Sequence, residues 1–328
     1  MIEFSSTSKI FKWADRVLDY VENGSTRPVH LALHITNKCP HNCPQCNGGR
    51  EADPTAELDI DTIYRVLNCA ERNGAKAVTF GGGGDPLAHL DFVDAIKHAA
   101  ECRLSIGVIT NGVILPDEAL KVMAEKCTWV RVSLDAGTEE QYKQTHGQSA
   151  NLEKTLANIK RLADFPGRKA TIGVSYLTSA NCITDIPIAI DKVAKTGADY
   201  IIFRPYDGDT FDASEIIGEY RSGLQIAKHY ERIQSPIRSY TKCHAMHFII
   251  EVTPTGLVFP CCYWKNQNKL AYGNVNIDSL DEILHSRQFK KFAERDITKI
   301  CPESCRNHPM NETIEVCFCR PVTHKEFL

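Results

Sequence analysis

The sequence predicts an α/β fold, a parallel sheet flanked by helices, with a small cysteine-rich α+β domain behind it. Three observations lead there. Short apolar runs alternate with segments of helical period, the downstream ends of those runs carry glycine, polar or thiol groups, and half of the fourteen cysteines crowd into residues 238–328.

In chain order, an amphipathic opening helix is expected over 9–23. Buried strands are expected at 30–35, 76–80, 104–109, 129–134, 171–177 and 200–203, where apolar residues run nearly unbroken. Helices are expected between them at 59–72, 90–101, 117–125, 152–163 and 184–195. Asn73-Gly74 and Thr196-Gly197 punctuate helix ends. The strand ends then carry, in turn, Thr36-Asn37-Lys38-Cys39, Gly81-Gly82-Gly83-Gly84-Asp85-Pro86, Thr110-Asn111-Gly112, Ser133-Leu134-Asp135, Thr178-Ser179-Ala180-Asn181-Cys182 and Arg204-Pro205-Tyr206-Asp207. Six such ends in succession point to one shared mouth, the arrangement of a partial (β/α)6 TIM-like barrel. Beyond Arg238 a hairpin is expected around Thr253-Pro254-Thr255-Gly256, then a helix over 280–292. Too little apolar sequence remains there for an independent core, so metal–ligand bonds are expected to hold it. The expected domains are a helical extension at 1–28, the barrel at 29–236 and the cysteine-rich domain at 237–328.

Composition narrows the function. The chain has 328 residues, 43% apolar, and a formal net charge of −3, which gives no general surface for nucleic acid. No apolar run approaches a membrane span, and the first residues lack a secretory pattern, so a cytoplasmic protein without a membrane partner is expected. Thiols stay reduced in that compartment, so clustered cysteines read as metal ligands or redox groups rather than disulfides.

The strongest cluster is Cys39-x3-Cys43-x2-Cys46 in the loop after the first strand. Three thiolates suit a [4Fe–4S] cluster with one iron left open. Zinc is the alternative, with His41 as a fourth ligand. The glycine run lacks the spacing of a phosphate loop.

These residues resemble the radical S-adenosylmethionine (SAM) enzyme family. Cys39-x3-Cys43-x2-Cys46 resembles its signature, and Gly83-Gly84-Asp85-Pro86 its Gly-Gly-Glu-Pro segment, with Asp85 one methylene shorter than the usual Glu. Gln45 stands where the family usually has an aromatic residue. Thr110-Asn111-Gly112 and Ser133-x-Asp135 resemble elements near the nucleoside. The resemblance implies that Cys39, Cys43 and Cys46 hold a [4Fe–4S] cluster. It also implies that Gly82, Gly83, Gly84, Asp85, Thr110, Asn111, Ser133 and Asp135 surround SAM. A reduced donor such as flavodoxin or ferredoxin is the expected electron source.

Cys243-x12-Gly256-x4-Cys261, followed by Cys301-x3-Cys305 and Cys317-x-Cys319, resembles the SPASM/Twitch domains that carry auxiliary [4Fe–4S] clusters. One auxiliary cluster is expected on Cys243, Cys261, Cys301 and Cys305, with Cys317 and Cys319 as alternates or ligands of a second. A zinc knuckle is the alternative. Cys69, Cys102 and Cys127 read as buried shell residues, and His34 as a satisfied core histidine. His244 and His247 stand beside Cys243 and are candidates to tune a cluster. Cys182 and Cys262 are candidate hydrogen-atom donors. Arg204 and Tyr206 are candidates to bind a polar substrate.

The expected function is radical oxidation of a small polar, sugar-like metabolite. The alternatives are epimerisation or maturation of a ribosomal peptide. From another class, a non-catalytic iron–sulfur or zinc protein explains the thiols but leaves the glycine segment without purpose.

Overall fold

The computed structural model describes residues 7–46, 53–182, 184–206, 225–227, 238–264, 268–301, 305 and 307–320. Asp207 and the expected domain boundary at 236–237 lie outside the described residues.

A 3-10 stretch at Thr7–Trp13 runs into α1 (Ala14–Asn23). The barrel strands follow: β1 (His30–Leu33), β2 (Ala77–Phe80), β3 (Ser105–Thr110), β4 (Trp129–Ser133), β5 (Thr171–Thr178) and β6 (Tyr200–Pro205). The helices between them are α2 (Ile60–Arg72), α3 (Phe92–Glu101), α4 (Asp117–Lys126), α5 (Glu139–His146), α6 (Leu152–Ala163) and α7 (Asp185–Ala194). The strands pair in parallel in chain order, with β7 (Gln225–Ala227) parallel to β6 at one edge. This is a partial TIM-like barrel.

The cysteine-rich end continues the same sheet. β8 (Ile249–Val252) pairs in parallel with β1, β9 (Leu257–Phe259) returns antiparallel to β8, and β10 (Gly273–Asn274) pairs with β9. The expected helix over 280–292 is two short ones, α8 (Leu280–Leu284) and α9 (Arg287–Ala293). Ser279 and Glu282 form a capping box at the first. Ser286 starts the second by accepting from the Phe289 N–H, so the break is written in two serines. α5 was not anticipated because only Tyr142 and His146 of its eight residues are buried. In α10 (His308–Ile314) only Ile314 of the three buried residues is apolar, and the π-helical turn Glu315–Cys319 behind it buries none, so neither shows an apolar period.

Period-two alternation sorts the barrel strands into two faces. Leu31, Leu33, Val78, Phe80, Ile106, Val108, Val130, Val132, Ile172, Val174, Ile201 and Phe203 point outward into one core with the helices. The other face, with His30, Thr79, Arg131, Ser133, Ser175 and Tyr200, lines the lumen. Among the described residues, no helix is long and apolar enough to cross a membrane.

One buried carboxylate fastens the wall at β5. Asp185 at the start of α7 accepts from the Gly137 N–H at 2.5 Å, the Thr138 N–H and hydroxyl at 2.9 Å, and the Tyr176 hydroxyl at 2.7 Å. These bonds tie the turn before α5 to β5 and α7. Asp185→Ala leaves four donors without their acceptor, so we expect a loss of about 3 kcal/mol in the stability read from urea denaturation. An unchanged midpoint would show that water replaces the carboxylate.

Candidate active site and cysteine centres

Cys39, Cys43 and Cys46 line a cleft of about 620 Å3 together with Asn37, Asn42, Pro44 and Pro54. Cys39 and Cys43 are half-buried, and Cys46 is exposed. The loop that carries them is held on three sides. Residues 53–58 run beside it, with the Asn37 N–H on the Ala56 carbonyl at 2.8 Å and the Leu58 N–H on the Ile35 carbonyl at 2.9 Å. The end of α5 supports it through the Asn42 N–H on the His146 carbonyl at 3.2 Å. The glycine segment closes the third side: the Gly84 N–H donates to the Thr36 carbonyl at 2.8 Å and the Asp85 N–H to the Lys38 carbonyl at 2.9 Å. Gly82 and Gly83 adopt φ of +66° and +68°, and a Cβ on Gly84 would overlap the Lys38 carbonyl.

Asp85 faces the protein. Its buried carboxylate accepts from the Leu87 N–H at 3.0 Å, the Thr110 hydroxyl at 2.8 Å and the Asn111 N–H at 2.7 Å. Burial raises its pKa, against these donors. Asn111 in turn points its side-chain amide at Cys39 Sγ, 3.5 Å away. Asp85, Thr110 and Asn111 thus form a bracket between β2, β3 and the cysteine loop, and one shorter methylene suits that bracket.

Around the mouth, Ser133 sits on the lumen face with the Ser175 hydroxyl 3.5 Å away. Asp135 holds a left-handed φ of +51° and accepts from the Leu177 N–H at 2.7 Å. Burial pushes its carboxyl up to about 7, although the nearby Arg204 pulls it down. His146 Nε2 lies 3.5 Å from Asp135. Burial and the neighbouring His41 push that imidazole down to about 3, so the contact is one with a neutral ring. His41, Cys43 and His146 bring one ligand atom each within 4.8 Å of one another. The sequence offered His41 as a ligand beside the thiols, but gave no sign of His146. Cys182 is 2% exposed, and its thiol donates to the Ser179 carbonyl at 2.8 Å and accepts from the Ser179 N–H at 3.0 Å. His34 is bonded through Nε2 to Glu251 of β8 at 2.6 Å, a partner the sequence did not reveal.

The second set of thiols lies at the foot of the same wall. Cys261 follows β9, two residues beyond Phe259, which pairs with Glu251 of β8. β9 runs against β8 and β1, so the chain beyond Phe259 heads toward the N-terminal end of β1. From His30 to Thr36 the chain climbs at most about 20 Å, at ~3.3 Å per residue, so the two thiol sets flank β1. Burial pushes Cys243 up to about 11, with Cys305 adding to it. Burial, then Cys243 and Cys305, push Cys301 up to about 12. Cys261 is raised by burial, then by Cys262, with Cys243 and Cys305 adding. Cys243, Cys261 and Cys301 resist ionisation, and Cys305 stands close enough to act on each, a donor set suited to an iron centre, which would draw off the protons. Asn311, fully buried, holds the Ala245 N–H at 2.8 Å and turns its amide toward Cys243 Sγ at 3.9 Å. Cys262 is half-buried next to this set. Cys319 instead groups with His244 and Glu315, within 4.8 Å, and Cys317 is exposed on the same turn.

The raised carboxyl of Asp135 has a measurable consequence. Between pH about 4 and about 7 the folded chain keeps this proton and the unfolded chain has lost it. The group's contribution to stability therefore falls as pH rises through that window. Asp135→Asn should flatten this part of the pH profile of the urea midpoint and raise the midpoint at pH 7. An unaltered profile would place the Asp135 pKa near its ordinary value.

Comparison with known proteins agrees with this geometry. The Radical SAM superfamily model matches residues 33–180, and the SPASM iron–sulfur cluster-binding domain model matches residues 243–307. A tungsten-containing aldehyde ferredoxin oxidoreductase cofactor-modifying protein of Pyrococcus furiosus is 25% identical over 82% of this chain and 84% of its own. A PqqA peptide cyclase of Gluconobacter oxydans is 26% identical over 85% of this chain and 82% of its own. Among solved structures, Streptococcus suis SuiB bound to its precursor peptide SuiA superposes with a TM-score of 0.71 at 14% identity, covering 95% of this chain and 82% of that one. Native anSMEcpe with bound AdoMet gives 0.61 at 12% identity, over 87% of this chain and 88% of that one. The order of the two matched regions, and the fold that carries them, make this protein a member of the radical SAM superfamily with a C-terminal SPASM iron–sulfur cluster-binding domain.

Proposed function

We propose that the protein is a peptide-modifying radical SAM enzyme that activates one C–H bond of a peptide in the barrel lumen. The observation that carries this reading is the match to a PqqA peptide cyclase over most of both chains. It favours a peptide over the sugar-like metabolite that the sequence alone suggested. The superfamily's [4Fe–4S] cluster, SAM and an auxiliary iron–sulfur cluster are the cofactors. Together the first two supply, when bound, a 5′-deoxyadenosyl radical able to take a hydrogen atom from substrate carbon.

The chain's own residues divide the remaining work. Cys39, Cys43 and Cys46 hold the first cluster by three thiolates, which leaves one iron open. Gly82, Gly83 and Gly84 offer bare backbone to the cofactor beside it. The Asp85 bracket fixes that backbone against the thiol loop, so the two halves of the site cannot drift apart. Ser133 and Asp135 border the cofactor from β4, and Arg204 faces the same mouth from β6. Cys243, Cys261, Cys301 and Cys305 hold the auxiliary cluster at the foot of β1. A cluster held there would supply an electron acceptor, which favours a net oxidation. The Cys182 thiol is engaged by Ser179, which disfavours it as a hydrogen donor.

The test is anaerobic reconstitution followed by reduction with SAM. We expect 5′-deoxyadenosine from the wild type and none from Cys39→Ala. Cys243→Ala should keep that product while losing about four iron atoms per chain. Peptides encoded beside the gene, offered next to a panel of sugars, should yield a product poorer by two hydrogen atoms. Turnover of sugars alone would reject the peptide reading, and solvent deuterium at the reacting carbon of an unoxidised product would replace oxidation by epimerisation.

A further inference from the structure

One cation in the lumen takes no part in the reading above. The strand registers set Ile109, Arg131, Gly173 and Tyr200 side by side in a single layer, one alternation below Ser133 and Ser175. Val130, Val132, Val174 and Ile201 point the other way, into the helix-covered core, whereas Tyr200 and Ile202 form a separate cluster. Arg131 therefore belongs to the inner face.

Its setting is built. A Cβ on Gly107 would overlap the Trp129 ring, and one on Gly173 would overlap the Tyr200 ring, so two glycines clear the floor for two aromatic rings. The Arg131 guanidinium lies over both, 5.1 Å from the Trp129 centroid and 5.9 Å from that of Tyr200. Its Nε–H donates to the Tyr200 hydroxyl at 3.1 Å. Among the described residues nothing accepts from the terminal N–H groups, and they are not fully buried. Among the described residues no carboxylate pairs with Arg131, although other arginines of the chain have one. Glu251 on the β1 side is bonded to His34.

The physics of this arrangement is that of a receptor. Stacking on ring faces fixes the plane of a guanidinium and leaves its edge free, and that edge matches a carboxylate in two parallel hydrogen bonds. A partly buried cation without a counter-ion has lost some of its hydration, and an arriving anion makes that loss good. We propose that Arg131 binds a carboxylate of the substrate, seated on the Trp129–Tyr200 floor of the lumen. It rests on the peptide reading only for the carboxylate's source: an acidic side chain or a free C-terminus.

Three labelled probes test it by equilibrium dialysis against the reconstituted, SAM-loaded enzyme. N-acetylglutamate α-amide offers a side-chain carboxylate, N-acetylglutamine a terminal one, and N-acetylglutamine amide none. At least one acid should bind roughly tenfold or more tightly than the neutral amide, a difference of about 1.4 kcal/mol. Whichever acid it is names the source. Arg131→Gln should remove that preference while leaving iron content and substrate-free SAM cleavage unchanged. Equal binding of all three probes by the wild type overturns the proposal without need of any variant. Weakened SAM binding in Arg131→Gln also overturns it, because the cation then serves the cofactor. A bound acid probe with no peptide turnover would leave this site standing and reject only the peptide reading.

Discussion

The backbone of the loop after β2 lies directly on the backbone of the thiol loop after β1, and no side chain fits between them. Gly84 makes this approach possible, and two amide–carbonyl bonds, to Thr36 and Lys38, hold it. Everything on the mouth side of the barrel is referenced to that contact. The thiols on one strand end and the cofactor cradle on the next become a single rigid piece. The Asp85 carboxylate then extends it to Thr110 and Asn111, and so to a third strand. Geometry that must be accurate to a fraction of an ångström is thereby set by backbone bonds rather than by long side chains.

The same economy appears at the other end of the wall. β8 completes the sheet by pairing with β1, and its hairpin partner delivers Cys261 to the foot of the strand whose tip bears Cys39. One strand thus relates two thiol centres. Their separation is a property of its length, and the lumen between them has a cationic side at Arg131 and a hydrogen-bonded pair, His34 with Glu251, on the other.

Much of this was legible in the sequence. The six barrel strands fall where apolar runs place them, because a strand whose outer face is covered by helices must be apolar at least at every second position. The cysteine spacings likewise announced two centres. What could not be read were pairings across long separations. His34 is the core histidine its mid-strand position suggests, but its partner, Glu251, lies more than two hundred residues later and cannot be read from it. Asp85 read as a cofactor contact because its motif says so, whereas its burial and three donors are facts of folding. Trp129, Arg131 and Tyr200 are unremarkable as isolated letters. Their meaning comes from Gly107 and Gly173, which clear room for the rings only once neighbouring strands are in register.

The pairing of β1 with β8 also dictates the order in which this molecule can come into being. β1 is synthesised more than two hundred residues ahead of its outer neighbour β8. For most of synthesis the nascent barrel therefore carries an open hydrogen-bonding edge next to its most reactive loop. The final segment closes that edge. It also brings Ile314 and Phe318 against Ile10 and Val17 of the opening helical segment, so these two distant segments clasp. A nascent chain without its C-terminal stretch lacks both the seal on the sheet and the clasp, and is exposed to misassembly for as long as it waits.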